Sequence, residues 1–395
     1  MKKRIAICCD GTWAGLDSQY PTNPVRLAKA ILPADPRDGT VQITFHLDGV
    51  GTGRGTGTIA RVTDRLLGGL FGSGLTETVA EAYRHLVFTY RPGDEIFLFG
   101  FSRGAFTARS LAGMIRNCGI LARAHAGRIR DALALYRSEA PEDHPEGERA
   151  LEFRATYSPD VLTSDSERDW RERARPGRDW SRAVPLRIAY VGVWDTVGSL
   201  GVPAQWSISG ILNRRHRFHD TCLSSYVRAA RHAVAIDERR RNFLPTLWDN
   251  VDELNGLGLA VPDAPYQQRW FPGVHAAVGG GRPDTGLASG ALLWVMEGAE
   301  RQGLAFDPSE RAAFVAEADP LAPLTARDGP GSLGLRDLLR LMPVDREGPD
   351  RPRFIASETC RRWTVDPDYR PRPLRRVADW LDSQSGDSQA DDLIA

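Results

Sequence analysis

Short runs of consecutive apolar residues alternate along the chain with stretches whose apolar positions recur every three or four residues. Residues 4–9, 41–47, 95–99 and 186–194 are runs of strand length. Their apolar positions are mostly consecutive, as in strands covered on both faces of a parallel sheet. Between them, residues 23–32 read as a helix. Leu75, Val79, Ala82, Leu86 and Tyr90 share one helical face behind a candidate N-cap at Ser73, and residues 104–117 follow the third strand as another helix. Strand and helix in alternation predict a mostly parallel sheet with helices on both sides, a three-layer α/β fold.

The alternation breaks in two places. Residues 121–185 are rich in Arg, Glu and Asp and carry helical patches such as RIRDALALYR. No sheet element needs so long a connection, and long insertions are usually functional or disordered. Residues 201–221 form a second irregular stretch. Both are expected to be cap insertions over the sheet edge, with Leu133, Leu135, Tyr136 and Phe153 as an apolar wall in the first. Later, YVRAARHAVAIDERRR reads as helical. From residue 383 the chain is polar and acidic, the composition of a disordered tail. Residues 1–382 are therefore expected to be a single domain.

Charge narrows the function classes. The 51 basic and 51 acidic residues cancel, so no bulk field draws this chain to nucleic acid. Lysine occurs only at 2, 3 and 29, which fits a GC-rich bacterial genome. The five cysteines (Cys8, Cys9, Cys118, Cys222 and Cys360) are odd in number and lack metal spacing. They point to a reducing compartment with no disulfide framework and no metal. The basic start resembles a signal peptide, but the apolar run ends at Asp10, short of the ~7–15 residues a signal core needs. A cytoplasmic location is expected, compatible with export by a specialised secretion system. No apolar run reaches the ~20 residues of a membrane span, so contact with a membrane would be peripheral. Oligomeric state is left open.

The third strand runs into DEIFLFGFSRGAFTARSLAGM, where Ser102 stands between Gly100 and Gly104. A strand, a sharp turn and a helix around G-x-S-x-G make a nucleophile elbow, the glycines being required because side chains two residues either side would collide. The rival reading is a plain glycine turn. A nucleophilic serine needs a base and an orienting acid, in the chain order Ser, acid, His for this kind of fold. Asp195, at the end of RIAYVGVWD, is the candidate acid, against a turn-capping role. His275 in WFPGVHAAVGGG is the candidate base, with His232 the alternative. For the oxyanion, Arg103 follows the nucleophile, and the CCDGTW loop offers Gly11 and Thr12, with Asp10 either contributing or shaping the loop. The run DGVGTGRGTG matches neither G-x-G-x-x-G nor the P-loop pattern, so Gly49–Gly57 reads as a pocket-lining loop and not a nucleotide site. No cofactor is implied.

Taken together and in order, ICCDGTW, DGVGTG, GFSRGAFTAR, VGVWDTVGSLG, RHAVAIDERRRNF and WFPGVHAAVGGG resemble a bacterial and fungal hydrolase family. That family includes the Tle1-like catalytic domain of type VI secretion phospholipase effectors, and the resemblance spans most of residues 3–300. It implies an α/β-hydrolase fold, a Ser-Asp-His triad of Ser102, Asp195 and His275, and hydrolysis of lipid or other acyl esters. One departure stands out: the family commonly reads G-V-H-S-D-V-G-G-G, and here Ala277 replaces the aspartate. Asp195 is then the acid the motifs support. The departure also favours the alternative of a non-catalytic binding module on a retained hydrolase scaffold.

Overall fold

The computed structural model describes residues 2–11, 15–49, 70–198, 222–256, 264–324 and 344–386. The chain opens with β1 (Lys3–Cys9), α1 (Asn23–Ala30), β2 (Val41–Leu47), α2 (Leu70–Thr89), β3 (Glu95–Phe101) and α3 (Arg103–Cys118). The 121–185 insertion contains α4 (Ile129–Arg137), α5 (Glu148–Tyr157), β4 (Val161–Leu162), α6 (Asp165–Ala174) and β5 (Val184–Pro185). Then follow β6 (Ile188–Trp194), β7 (Val227–Ala235), β8 (Tyr266–Phe271), α7 (His275–Gly279), α8 (Gly286–Arg301), α9 (Pro308–Glu317), α10 (Ser357–Val365) and α11 (Ala378–Gly386).

Six strands form one sheet in the order β2-β1-β3-β6-β7-β8, every neighbouring pair parallel. The period of two divides its side chains between two cores. Ile5, Ile7, Ile96 and Leu98 join α2 and α3 residues such as Tyr83, Leu86, Ala108 and Leu111 on one face. Ala6, Cys8, Phe97 and Phe99 join α1 and α8 residues such as Leu27, Leu292 and Val295 on the other. Because all strands run the same way, their C-terminal ends meet at one edge, where α/β sheets place their sites. Asp10, Asp48, Ser102 and Asp195 each lie directly after a strand at that edge.

Several expectations need adjusting. Residues 227–235 are the strand β7, not part of a helix. Helix α2 begins at Leu70, so Ser73 lies inside it and is not its N-cap. Helix α11 runs to Gly386 and so includes the first residues of the expected tail, while 387–395 and the expected 201–221 cap lie outside the described residues. The first insertion is ordered, but it is not beside Ser102. It packs on the second half of α3: Asn117 Nδ2 donates to Asp143 O, and Arg154 Nη1 donates to Asn117 O at 2.8 Å. Tyr136 lies against Gly113, about 16 Å along the helix from Ser102 at 1.5 Å per residue. Leu135 and Tyr136 are core residues, with Leu133 and Phe153 packed against that core, so they are not an open wall. The physical reason is that an amphipathic insertion buries its apolar face on the nearest apolar surface, here the outer side of α3.

Candidate active site

The corner between β3 and α3 is closely constrained. Ser102 has φ 59° and ψ −120°, a conformation costing on the order of 1–3 kcal/mol in a residue with a side chain. It persists because its surroundings fix it. A Cβ on Gly100 would stand 2.3 Å from Gly104 O, and one on Gly104 would stand 2.2 Å from Cys9 O. The Ser102 N–H donates to Trp194 O at 3.0 Å, and Phe106 N donates to Ser102 O as α3 begins. The hydroxyl is thereby lifted off the end of the sheet at the positive end of a helix, where first-turn N–H groups have no acceptor within the helix.

His275 begins α7, just after β8. Its Nε2 lies 2.8 Å from Ser102 Oγ and its Nδ1 lies 2.5 Å from Asp195 Oδ2. With the carboxylate accepting, the tautomer carries its proton on Nδ1 and presents a bare Nε2 to the serine hydroxyl. Phe101 and Phe243 pack on the ring at centroid distances of 4.6 and 4.8 Å. The His275 N–H donates to Glu238 Oε2 at 3.2 Å. Ring rotation is restricted on both sides.

Asp195 is fully buried and has φ 38°. Its Oδ1 accepts from Ala235 N at 2.9 Å and from Arg346 Nη1 at 2.6 Å, and its Oδ2 accepts from Arg346 Nη2 at 2.9 Å as well as from His275. Burial alone would push this carboxyl up. The Arg346 charge and the His275 hydrogen bond outweigh it and hold Asp195 well below the usual carboxylate range. Arg346 and Phe243 are site residues that sequence reasoning missed. Arg346 sits in no motif, and only folding brings it to Asp195.

His232, the alternative base, lies next to this group without reaching the serine. It accepts from Thr196 N at Nε2 and faces Gln268 Oε1 through Nδ1 at 2.9 Å. Both nitrogens are therefore occupied, Nδ1 as donor. Burial, aided by the Arg109 charge, pushes its pKa down to about 3, which keeps it neutral. It buttresses the turn after Asp195.

Among the other candidates, Asp10 shapes its loop. Its Oδ1 accepts from Gly11 N at 2.7 Å and from Thr22 Oγ1 at 2.5 Å. The Gly11 N–H is thus committed to Asp10, which removes it as an oxyanion donor. Thr12 lies outside the described residues, as do residues 50–57 of the glycine-rich run. Arg103 is the first residue of α3, directly after the Ser102 corner. Burial pushes its guanidinium down to about 10. The Ala277 side chain is buried in a small apolar cluster with Leu287 and Ala322. Among the described residues, no group of three or more His, Cys, Asp or Glu side chains could hold a metal ion, and no helix is long and apolar enough to cross a membrane.

The parallel sheet, the strained serine between β3 and α3, and the histidine and aspartate delivered to the same edge define an α/β-hydrolase-like protein. Residues 3–298 match the family described as T6SS, phospholipase effector Tle1-like, catalytic domain, and the chain belongs to that family. It is similar to the uncharacterized protein YEL023C of Saccharomyces cerevisiae, 29% identical over 249 residues that make up 61% of this chain and 32% of that protein. Two solved structures show a partial likeness to this chain. An uncharacterized protein from Pseudomonas aeruginosa gives a TM-score of 0.41 at 17% identity, covering 80% of this chain and 48% of that one. The Tle1 effector bound to the VgrG spike from the type 6 secretion system gives 0.33 at 18% identity, covering 72% and 52%. The chain thus spans about a third of the yeast relative and about half of each solved chain.

Proposed function

We propose that this protein is a serine hydrolase of carboxylic esters, with lipid esters as its substrate class. The observation that carries the reading is the continuous hydrogen-bonded path from Ser102 Oγ through His275 to Asp195, at 2.8 and 2.5 Å, set on a strained corner. Ser102 Oγ attacks the ester carbonyl while His275 Nε2 takes its proton. The same nitrogen returns the proton to the leaving alcohol and then activates the water that releases the acid. Asp195 keeps the proton on Nδ1 and stabilises the imidazolium formed in between. The backbone N–H of Arg103 is the assigned oxyanion donor, helped by the α3 dipole. The lipid part of the reading rests on family membership. Ala277 does not count against catalysis, because Asp195 already holds His275 Nδ1 and the Ala277 methyl fills an apolar site.

A fluorophosphonate probe tests this directly, since it bonds only to an activated serine. Labelling of the wild type and none of Ser102→Ala is expected, together with a loss of esterase activity on the order of 10⁴-fold or more. A folded wild type that takes no label at any pH overturns the proposal.

A further inference from the structure

Arg346 lies beyond residue 298, outside the stretch that matches the family, yet it grips the carboxylate at the centre of the site. Both partners are buried, their side chains 1% and 0% exposed. The guanidinium makes a two-pronged contact with both Asp195 oxygens and shares Oδ2 with His275 Nδ1. It also donates to Ala235 O at 2.6 Å and Phe243 O at 2.5 Å, so its plane is fixed. The segment bearing it is held in turn. Val344 N donates to Arg239 O, and Asp345 pairs with Arg239 and Arg372. Farther along, Ile355, Trp363, Leu374, Val377 and Leu381 form a core with Val234 and Trp270, which fastens this segment to β7 and β8. A second contact reaches the histidine loop, where Tyr369 Oη donates to Asp237 Oδ2, itself the acceptor for Gly273 N.

Building on the ester-hydrolase reading above, we propose that Arg346 is a positioning residue. Its fork aims Asp195 Oδ2 at His275, and its charge sets the pH at which the serine–histidine–aspartate path becomes active. The electrostatics give the direction. A lone buried carboxylate would strongly favour proton uptake by the path, on His275 or on the carboxyl itself. Arg346 cancels that charge, so the extra proton is resisted and the unprotonated, working form extends to lower pH. Among the described residues, the other charged and titratable groups facing this centre are His232 with Arg109 behind it, Glu238 paired with Arg240, and Asp237 held by Tyr369 near Arg362. All of these stay in place when Arg346 alone is changed. The C-terminal segment is on this view a working part of the site.

The test is the rate of fluorophosphonate labelling against pH for the wild type, Arg346→Met and Arg346→Lys, with circular dichroism and thermal melts as folding controls. Arg346→Met should move the acidic limb up by about one pH unit or more and lower the plateau. Arg346→Lys keeps the charge but not the fork, so its acidic limb should stay near that of the wild type while its plateau falls roughly tenfold. A folded Arg346→Met with unchanged limb and plateau overturns the proposal. Should that variant fail to fold, an Arg346→Lys protein with the wild-type plateau overturns it instead. A labelled wild type with unmoved variants removes only the role of Arg346, whereas an unlabelled wild type removes the ester-hydrolase reading beneath it.

Discussion

Among the described residues, Ser102 and Asp195 are the non-glycine positions with positive φ. Both belong to the site, which is where unfavourable backbone tends to be retained because function needs the side chain there. Ser102→Gly should therefore give an inert but more stable protein, with the unfolding free energy in urea raised by ~1 kcal/mol. Ser102→Ala, still carrying a Cβ at the same φ, should be inert without that gain. Equal stability of the two variants would mean the corner stores no strain. Gly104→Ala works in the opposite sense, since its new Cβ would meet two backbone carbonyls, Cys9 O at 2.2 Å and Asp10 O at 2.4 Å. Backbone cannot give way as a side-chain tip can, so a loss of ~3 kcal/mol or more is expected. Near-wild-type urea stability in that variant would show that the corner can shift. This part of the site was legible in the sequence, because steric demand leaves a local signature around the serine. Arg346 left none, since its partner is 151 positions away and a single arginine among many carries no pattern.

At the scale of elements, the parallel strands β1, β2, β3 and β6 announced themselves through short runs of mostly consecutive apolar residues. β7 did not. Its sequence VRAARHAVA is rich in alanine, the strongest helix former, yet it lies in the sheet between β6 and β8 with eight of nine residues buried. Burial overrides propensity here. Ala229, Ala233 and Ala235 pack toward α8 on one face, and Val227 and Ala230 face the other core. His232 on this strand carries a stability consequence. Its pKa is about 3 in the folded chain against about 6.5 when unfolded, so the unfolded state takes up the proton first. The sign follows from that difference. The stability is complete above about pH 6.5 and is lost as pH falls toward 3, by about 1.4 kcal/mol per pH unit. His232→Gln keeps an acceptor for Thr196 N and cannot titrate. Its unfolding free energy, measured in urea from pH 7 to 4, should fall less steeply by about one proton's worth. A slope identical to that of the wild type would mean His232 does not resist protonation.

At the scale of the whole molecule, the sheet's C-terminal edge carries the proposed site and the 121–185 insertion lies at the other end of α3. The insertion is organised around charge buried away from that edge. Glu167 is fully buried, with Arg171 Nη2 2.6 Å from Oε1 and Arg154 Nε 3.0 Å from Oε2. Burial would raise the Glu167 carboxyl, and the two arginines together hold it below its ordinary value. Arg154 also donates to Asn117 O, and Arg171 to Pro159 O and Val161 O, so this one carboxylate organises the contact between α5, α6 and the end of α3. Composition alone made the insertion look like a cap, because charge-rich helices read the same whether they line a pocket or brace a core. The geometry separates these roles by measurement. Glu167→Gln leaves two buried guanidinium groups without their counter-charge and should cost ~3–5 kcal/mol in urea unfolding. The same variant, assayed below its melting temperature, should keep the wild-type ratio of kcat/KM between short and long acyl esters. A change in that ratio of more than a few fold, in protein shown to be folded, would place the insertion in contact with substrate. Unchanged selectivity with lowered stability makes it a brace on α3, and leaves recognition of the acyl chain to residues at the sheet edge around Ser102.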